Sequence, residues 1–274
     1  MKRLETGMAE LTGRKDGIAV CNGSVALDVA LAALRLGPGD EVIMPAFTIV
    51  SCCASVVRAG ATPVLVDADP VTWNMDVREI EAKITPQTKA IMVVHIYGLP
   101  VEMGPVLQIA KKHGLRVIED AAEVIGQTCG GVGTWESEKV EGGKEKKRER
   151  PCGSFGDVST VSFYPNKHIT TGEGGMVLAD DDMLAERCRS LRNLCFDKER
   201  RFIHDELGWN FRMSNMQAAV GVAQLERIED TVKKKREIGG WYNEFLKDVL
   251  GLQLPLHRTQ YATNIYWVYG VVLE

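Results

Sequence analysis

Short apolar runs alternate with longer amphipathic stretches over the first two-thirds of the chain. GIAVCNG (17–23), DEVIMP (40–45), TPVLVD (62–67), KAIMVV (89–94) and LRVIED (115–120) predict strands. Between them, SVALDVALAALRLG (24–37) predicts a helix closed by Gly37-Pro38-Gly39, and TIVSCCASVVRAG (48–60) a second with a glycine stop. DVREIEAKI (76–84), opened by Asp76, and MGPVLQIAKKHG (103–114) predict two more. Further on, DVSTVSFY (157–164) and GGMVLA (174–179) read as strands, and residues 181–195 as a helix with an acidic start. Residues 215–249 read as one or two long helices, and the tail NIYWVYGVVLE (264–274) as a strand. Alternation of this kind predicts an α/β fold, a mostly parallel sheet covered by helices on both faces.

One stretch breaks the pattern. ESEKVEGGKEKKRER (136–150) holds six basic and five acidic residues around a double glycine. It reads as a mobile, solvated surface loop, whose basic half is a weak alternative contact for a substrate phosphate.

Composition narrows the class. With 274 residues, 45% of them hydrophobic, the chain can build one large core, or one domain and part of another. A net charge of −4 gives no footprint for nucleic acid or an acidic membrane surface. The seven cysteines include no CxxC pair, which argues against a metal site or a disulfide framework and fits a reducing cytoplasm. The N-terminus is charged without an apolar signal core, and no apolar run approaches the length of a membrane span.

Three short segments carry candidate chemistry. VIEDAAE places Asp120 at the C-terminal end of a strand, where open parallel sheets bind ligands, with Glu123 three residues on. The same D-x-x-E spacing also fits a helix N-cap and its capping-box partner. In CNGSVAL (21–27) a strand ends, Gly23 permits a tight turn and a helix begins, so its first amides can face an anion. SFYPNKHITTGEGG (162–175) places Lys167 just past a strand end. A lysine there is either a solvated loop charge or an amine able to form an imine. An acid for a protonated ring nitrogen, a phosphate-ready helix start and an imine-forming lysine together are what a pyridoxal phosphate enzyme needs. His95 and Tyr97 in VVHIYG lie at another strand end, either as site lining or as structural residues.

On these residues the chain resembles the DegT/DnrJ/EryC1/StrS sugar aminotransferases, which have the aspartate-aminotransferase type fold (pyridoxal phosphate fold type I). The markers are NGSVALDVAL, GPGDEVIMPAFT, GATPVLVDAD, ITPQTKAIMVVHIYG, LRVIEDAAE, GSFGDVSTVSFYPNK, GEGGMV and LGWNFRMSNMQAA, spread over nearly the whole chain. The resemblance implies pyridoxal 5'-phosphate bonded to Lys167, which also shuttles the proton, and Asp120 paired with the ring nitrogen. It places Glu123 on the ring's hydroxyl side, where many relatives have glutamine. Gly23, Ser24 and Ser162 match phosphate-binding positions. Asn210 matches a residue that reaches the phosphate of the neighbouring subunit, in homodimers with shared active sites.

Within the family the chain is most similar to enzymes that aminate C4 of GDP-4-keto-6-deoxymannose with L-glutamate as donor. Two alternatives are a C3 dehydratase acting on the same sugar, which has histidine in place of Lys167, and a sensor or regulator that keeps the fold without turnover. Many relatives have an aromatic residue where this chain has Ile49, so Ile49 or Phe47 is expected to give the apolar cover of the ring. The expected division is a cofactor-binding large domain over 1–235 and the start of a truncated small C-terminal domain over 236–274.

Overall fold

The computed structural model describes residues 1–130, 137–139, 145–147, 149–197, 199–200, 202–204 and 206–273. Seven strands build the central sheet: β1 (Asp16–Val20), β2 (Glu41–Pro45), β3 (Thr62–Val66), β4 (Thr88–Val94), β5 (Arg116–Asp120), β6 (Val158–Ser162) and β7 (Gly175–Ala179). Their spatial order is β1-β7-β6-β5-β4-β2-β3. β7 runs antiparallel to both β1 and β6, and the other pairings are parallel. The helices are α1 (Lys2–Thr12), α2 (Gly23–Ala33), α3 (Val50–Arg58), α4 (Met103–His113), α5 (Asp182–Arg192), α6 (Asn215–Leu225) and α7 (Ile228–Leu246).

Successive strand residues point to opposite faces, and both faces are buried, which is why the strands read as nearly continuous apolar runs. Ile43, Ile91, Val93, Val117 and Val161 share one core with Leu4 and Met8 of α1, Val106 of α4, Ala218 of α6 and Val232 of α7. Val42, Met44, Met92, Val94 and Ile118 share the other with Leu27 and Leu31 of α2, Val56 of α3 and Cys188 of α5. Glu119 and Asp120, adjacent in β5, therefore face different layers.

Several expected elements differ. No helix spans 76–84; only a 3-10 turn forms at Glu81–Lys83. Asp76 instead accepts the backbone N–H of Arg78 at 3.0 Å and its guanidinium at 2.8 and 2.6 Å, a local turn that competes with helix. α2 stops at Ala33, short of Gly37, because Arg35 adopts φ 59° and the N–H of Leu36 returns to the carbonyl of Leu31. Residues 215–249 form two helices. The tail contributes only the pairing of Val272–Leu273 with Leu252–Gln253. Helix α1 had no counterpart in the sequence reading. The charged stretch 136–150 lies partly outside the described residues; within it, Ser137–Lys139 pairs antiparallel with Glu145–Lys147. Among the described residues no helix is long and apolar enough to cross a membrane.

Candidate active site

β1, β2, β4, β5 and β6 all end at one edge of the sheet, and a cavity of about 670 Å³ opens there. Asn22, Gly23, Ser24, Ile49 and Ser51 line one side of it; Asp120, Ala122, Glu123, Ser162, Lys167 and Trp267 line the other. Of Lys167, Asp120, Glu123, Gly23, Ser24, Ser162 and Asn210, all but Asn210 thus converge.

The phosphate end is built from α2 and β6. Asn22 caps α2 by accepting the N–H of Val25 at 3.0 Å, which fixes the direction of the first turn. Gly23 is required by packing. A Cβ there would lie 2.7 Å from Cβ of Ser162 and 3.0 Å from its Oγ. Ser24 Oγ and Ser51 Oγ are 2.7 Å apart, so the hydroxyls of α2 and α3 meet at the same place. Small residues, hydroxyls and a helix N-terminus form a cradle for an anionic group.

The lysine sits on the loop joining the antiparallel pair β6 and β7. Phe163 N–H to the Gly174 carbonyl (2.8 Å) and Thr171 N–H to the Phe163 carbonyl (3.0 Å) hold that loop closed. Lys167 is largely buried, with Nζ 3.6 Å from Oε1 of Glu123 and 3.5 Å from the centroid of the Trp267 ring. The solvated-loop reading is therefore excluded. Burial moves the Lys167 amine down from the usual lysine range, against the pull of Glu123 and Asp120.

Asp120 does not cap a helix, since residues 121–127 directly after β5 form turns. Its Oδ1 accepts the N–H of Ala122 at 3.0 Å and its Oδ2 accepts the thiol of Cys52 at 3.4 Å. Burial moves its carboxyl above the usual range, partly opposed by the Ala122 amide, Lys167 and Cys52. Glu123 is not a capping-box partner either: its Oε2 accepts the N–H of Tyr97 at 2.8 Å. Burial pushes its carboxyl up to about 7, although Lys167 pulls the other way.

The remaining expectations divide. Ile49 lines the cavity, whereas Phe47 packs edge-on against Tyr97, with ring centroids 5.9 Å apart. His95 faces the other layer. Its Nδ1 accepts the N–H of Val101 at 3.0 Å, which puts a ring proton on Nε2, facing Glu119 Oε1 at 3.1 Å. It is structural. Asn210 is exposed and outside the cavity of its own chain, with Oδ1 accepting from Arg212 Nε at 2.8 Å. Cys52 and Trp267 were missed. Trp267 belongs to the tail read as a strand, and Cys52 to the stretch 48–60 read only as a helix.

A family profile described as the DegT/DnrJ/EryC1/StrS aminotransferase family matches residues 1–274. The chain belongs to this family. GDP-perosamine synthase of Caulobacter vibrioides is 44% identical over 98% of this chain and 68% of its own length. The enzyme of the same name from Escherichia coli O157:H7 is 39% identical over 99% of this chain and 69% of its own. DesV of S. venezuelae, solved in complex with a ketimine intermediate, superposes with a TM-score of 0.87 at 30% identity, covering all of this chain and 68% of that one.

As an aminotransferase of this family the protein takes pyridoxal 5'-phosphate. The site fits that group by shape and by chemistry. The cradle at Gly23 is one a Cβ would fill, and hydroxyls surround it. A buried carboxylate at Asp120 suits a ring cation, and a buried amine at Lys167 suits an aldehyde.

Proposed function

We propose that the protein transfers an amino group from L-glutamate to C4 of a nucleotide-linked 4-keto sugar, GDP-4-keto-6-deoxymannose. The reading is supported by the burial of Lys167 between Glu123, Asp120 and Trp267 beside the hydroxyl cradle. The choice of sugar is supported by the GDP-perosamine synthases, whose similarity extends over nearly the whole chain.

The bound cofactor supplies an electron sink that makes the carbon bearing the migrating nitrogen acidic. The chain's own residues do the rest. Lys167 Nζ takes the proton from Cα of glutamate, and in the second half-reaction delivers a proton to C4 of the sugar. Its lowered proton affinity suits an amine that must be neutral to act as base near neutral pH. Asp120 would hold the protonated ring nitrogen, and the Cys52 thiol and the Ala122 amide fix its two oxygens. Ser162, Ser24 and the first turn of α2 anchor the phosphate. Asn210, exposed on its own chain, completes that anchor in a second subunit of a two-fold homodimer. Lys167 also opposes the dehydratase reading, which has histidine at this position, because an amine here would bond the cofactor and imidazole would not.

Two measurements test this. Borohydride reduction of the holoenzyme followed by peptide mapping is expected to find the cofactor on the Lys167 peptide; attachment at any other lysine removes the assignment. Incubation with glutamate and the GDP-keto-sugar is expected to yield the 4-amino sugar. A deoxy sugar without nitrogen, or amination at C3, would overturn the substrate reading.

A further inference from the structure

We propose that Trp267 is a positioning residue for Lys167: with Glu123 it forms a cradle that holds the lysine amine whenever that amine is not bonded to the cofactor. The proposal rests on reading Lys167 as the cofactor lysine. It adds a residue that the reading does not require.

The cradle is a closed circuit of contacts. Nζ of Lys167 lies 3.5 Å from the centroid of the Trp267 ring and 3.6 Å from Oε1 of Glu123. A single residue holds both partners. Tyr97 donates its N–H to Oε2 of Glu123 at 2.8 Å, and its carbonyl accepts the N–H of Trp267 at 3.2 Å. The indole Nε1–H then donates to the carbonyl of Asn166, the residue before the lysine, at 3.0 Å. Ring, carboxylate and lysine loop are therefore fixed to one another rather than merely adjacent.

The backbone is bent to make this circuit. Tyr97 has φ 54° and Tyr266 has φ 50°, a region that aromatic residues rarely enter. Gly98 has φ 93°, and a Cβ there would lie 2.5 Å from the Tyr266 nitrogen and 2.7 Å from that of Trp267. Its carbonyl accepts the N–H of Ile265 at 3.1 Å. Unusual backbone held on both sides of one contact is the pattern of strain kept for a function. The use is evident from the chemistry. A transaminating lysine leaves and rejoins the cofactor in every cycle, and a free amine on a four-carbon stem otherwise sweeps a wide volume. A ring face that attracts the ammonium keeps Nζ beside the place where it must react.

Burial, the largest influence on Lys167, disfavours the ammonium, and the carboxylates of Glu123 and Asp120 favour it. Trp267 adds to the carboxylates without titrating, so loss of its ring face under a side chain that keeps the apolar cover has a defined sign. The experiment is competitive acetic anhydride labelling of the full-length apoprotein across pH, with Lys167 followed by peptide mass mapping in wild type, Trp267→Leu and Trp267→Phe. In Trp267→Leu the labelling midpoint of Lys167 is expected to fall by about half a unit to one and a half units, the value of a cation–π contact. In Trp267→Phe most of that shift is restored. A higher labelling plateau with an unmoved midpoint would mean only that the loop had opened, and would overturn the proposal. Equal shifts in both variants would assign the effect to bulk and overturn it too. If Trp267→Leu does not fold, Trp267→Met removes the ring face with less loss of volume. Borohydride mapping of the wild-type holoenzyme keeps the two readings apart: attachment elsewhere than Lys167 defeats the functional reading whatever the midpoints do.

Discussion

The thiol of Cys52 donates to Oδ2 of Asp120 at 3.4 Å, from the first turns of α3 to the end of β5. The hydroxyl of Thr48 donates in turn to the Cys52 sulfur at 3.6 Å. Cys52 is fully buried, and burial first, then Asp120, holds its thiol well above the usual range, so it stays a proton donor. Cys52→Ala removes a donor to a buried carboxylate and makes Asp120 easier to protonate. Cofactor affinity is expected to fall about fivefold, the scale of one hydrogen bond of roughly 1 kcal/mol. Cys52→Ser, which keeps a donor, should retain most of it. Titration of the apoprotein with pyridoxal phosphate, read by absorbance, decides; equal loss in both variants would show that the thiol acts by packing alone.

The approach of Gly23 to Ser162 gives a second test. A Cβ at position 23 would lie 2.7 Å from Ser162 Cβ and 3.3 Å from its Cα, so α2 or β6 would have to shift. Gly23→Ala is expected to lower stability by about 1–3 kcal/mol, as overpacking does, and to weaken cofactor binding. Ser162→Gly in the same chain should recover the stability but not the binding, because the hydroxyl is lost. A thermal melt and a cofactor titration on the single and double variants measure the two effects separately. Additive losses of stability would mean that the two residues do not press on each other.

The sheet and the placing of Lys167 near its ligand edge were legible because each depends on local pattern. Buried parallel strands must be apolar along their length, and Asp120 and Lys167 stand just where two of them stop. What remained hidden depends on contacts between distant segments. Nothing near Trp267 announces that the Tyr97–Gly98 turn will seat it over Lys167. The D-x-x-E spacing at Asp120 fits a capping box, yet Glu123 is drawn instead to the N–H of Tyr97, 26 residues away in sequence. The helix expected at 76–84 failed for the opposite reason: Asp76 and Arg78 satisfy each other locally before a helical turn can close.

Glu119, the neighbour of Asp120, is expected to be the costlier residue for the fold. Its carboxylate accepts from Gly153 N–H at 2.6 Å, Phe155 N–H at 2.7 Å, Ser159 Oγ at 3.0 Å and His95 Nε2 at 3.1 Å. Burial alone would raise its proton affinity. The His95 hydrogen bond, the Gly153 amide and Arg14 outweigh burial and bring it down to about 2 from 4.5. A depressed folded value stabilises above the unfolded one, and that stability is lost as pH falls from about 4.5 towards 2. Glu119→Ala leaves several buried donors without an acceptor and should cost about 3–5 kcal/mol, by the scale of broken buried pairs. Denaturant melts at pH 7 and pH 4 check both statements; a loss that did not shrink at the lower pH would show that the carboxylate charge is not what stabilises.

Glu123 gives the opposite sign. Its folded value is raised to about 7 from 4.5, chiefly by burial, with Asp120 adding to it. Below 4.5 both folded and unfolded states hold the proton, so the group makes no difference. Between 4.5 and 7 the unfolded chain releases the proton while the folded chain keeps it, and stability falls as pH rises. Above 7 the loss is complete, and a shift of 2.5 units (7 − 4.5) bounds it at about 3 kcal/mol. Glu123→Gln keeps the shape and an acceptor for the Tyr97 N–H, and has nothing to titrate. The apo variant is therefore expected to melt like wild type at pH 4.5 and above it at pH 8, by an amount that grows only across that window. Removing the carboxylate also removes an attraction on Lys167, which lies 3.6 Å away. Its amine should then be neutral over a wider range. A single pH series of apoprotein melts separates the outcomes: parallel curves for wild type and Glu123→Gln would mean that Glu123 is charged at all these pH values, held so by the lysine beside it.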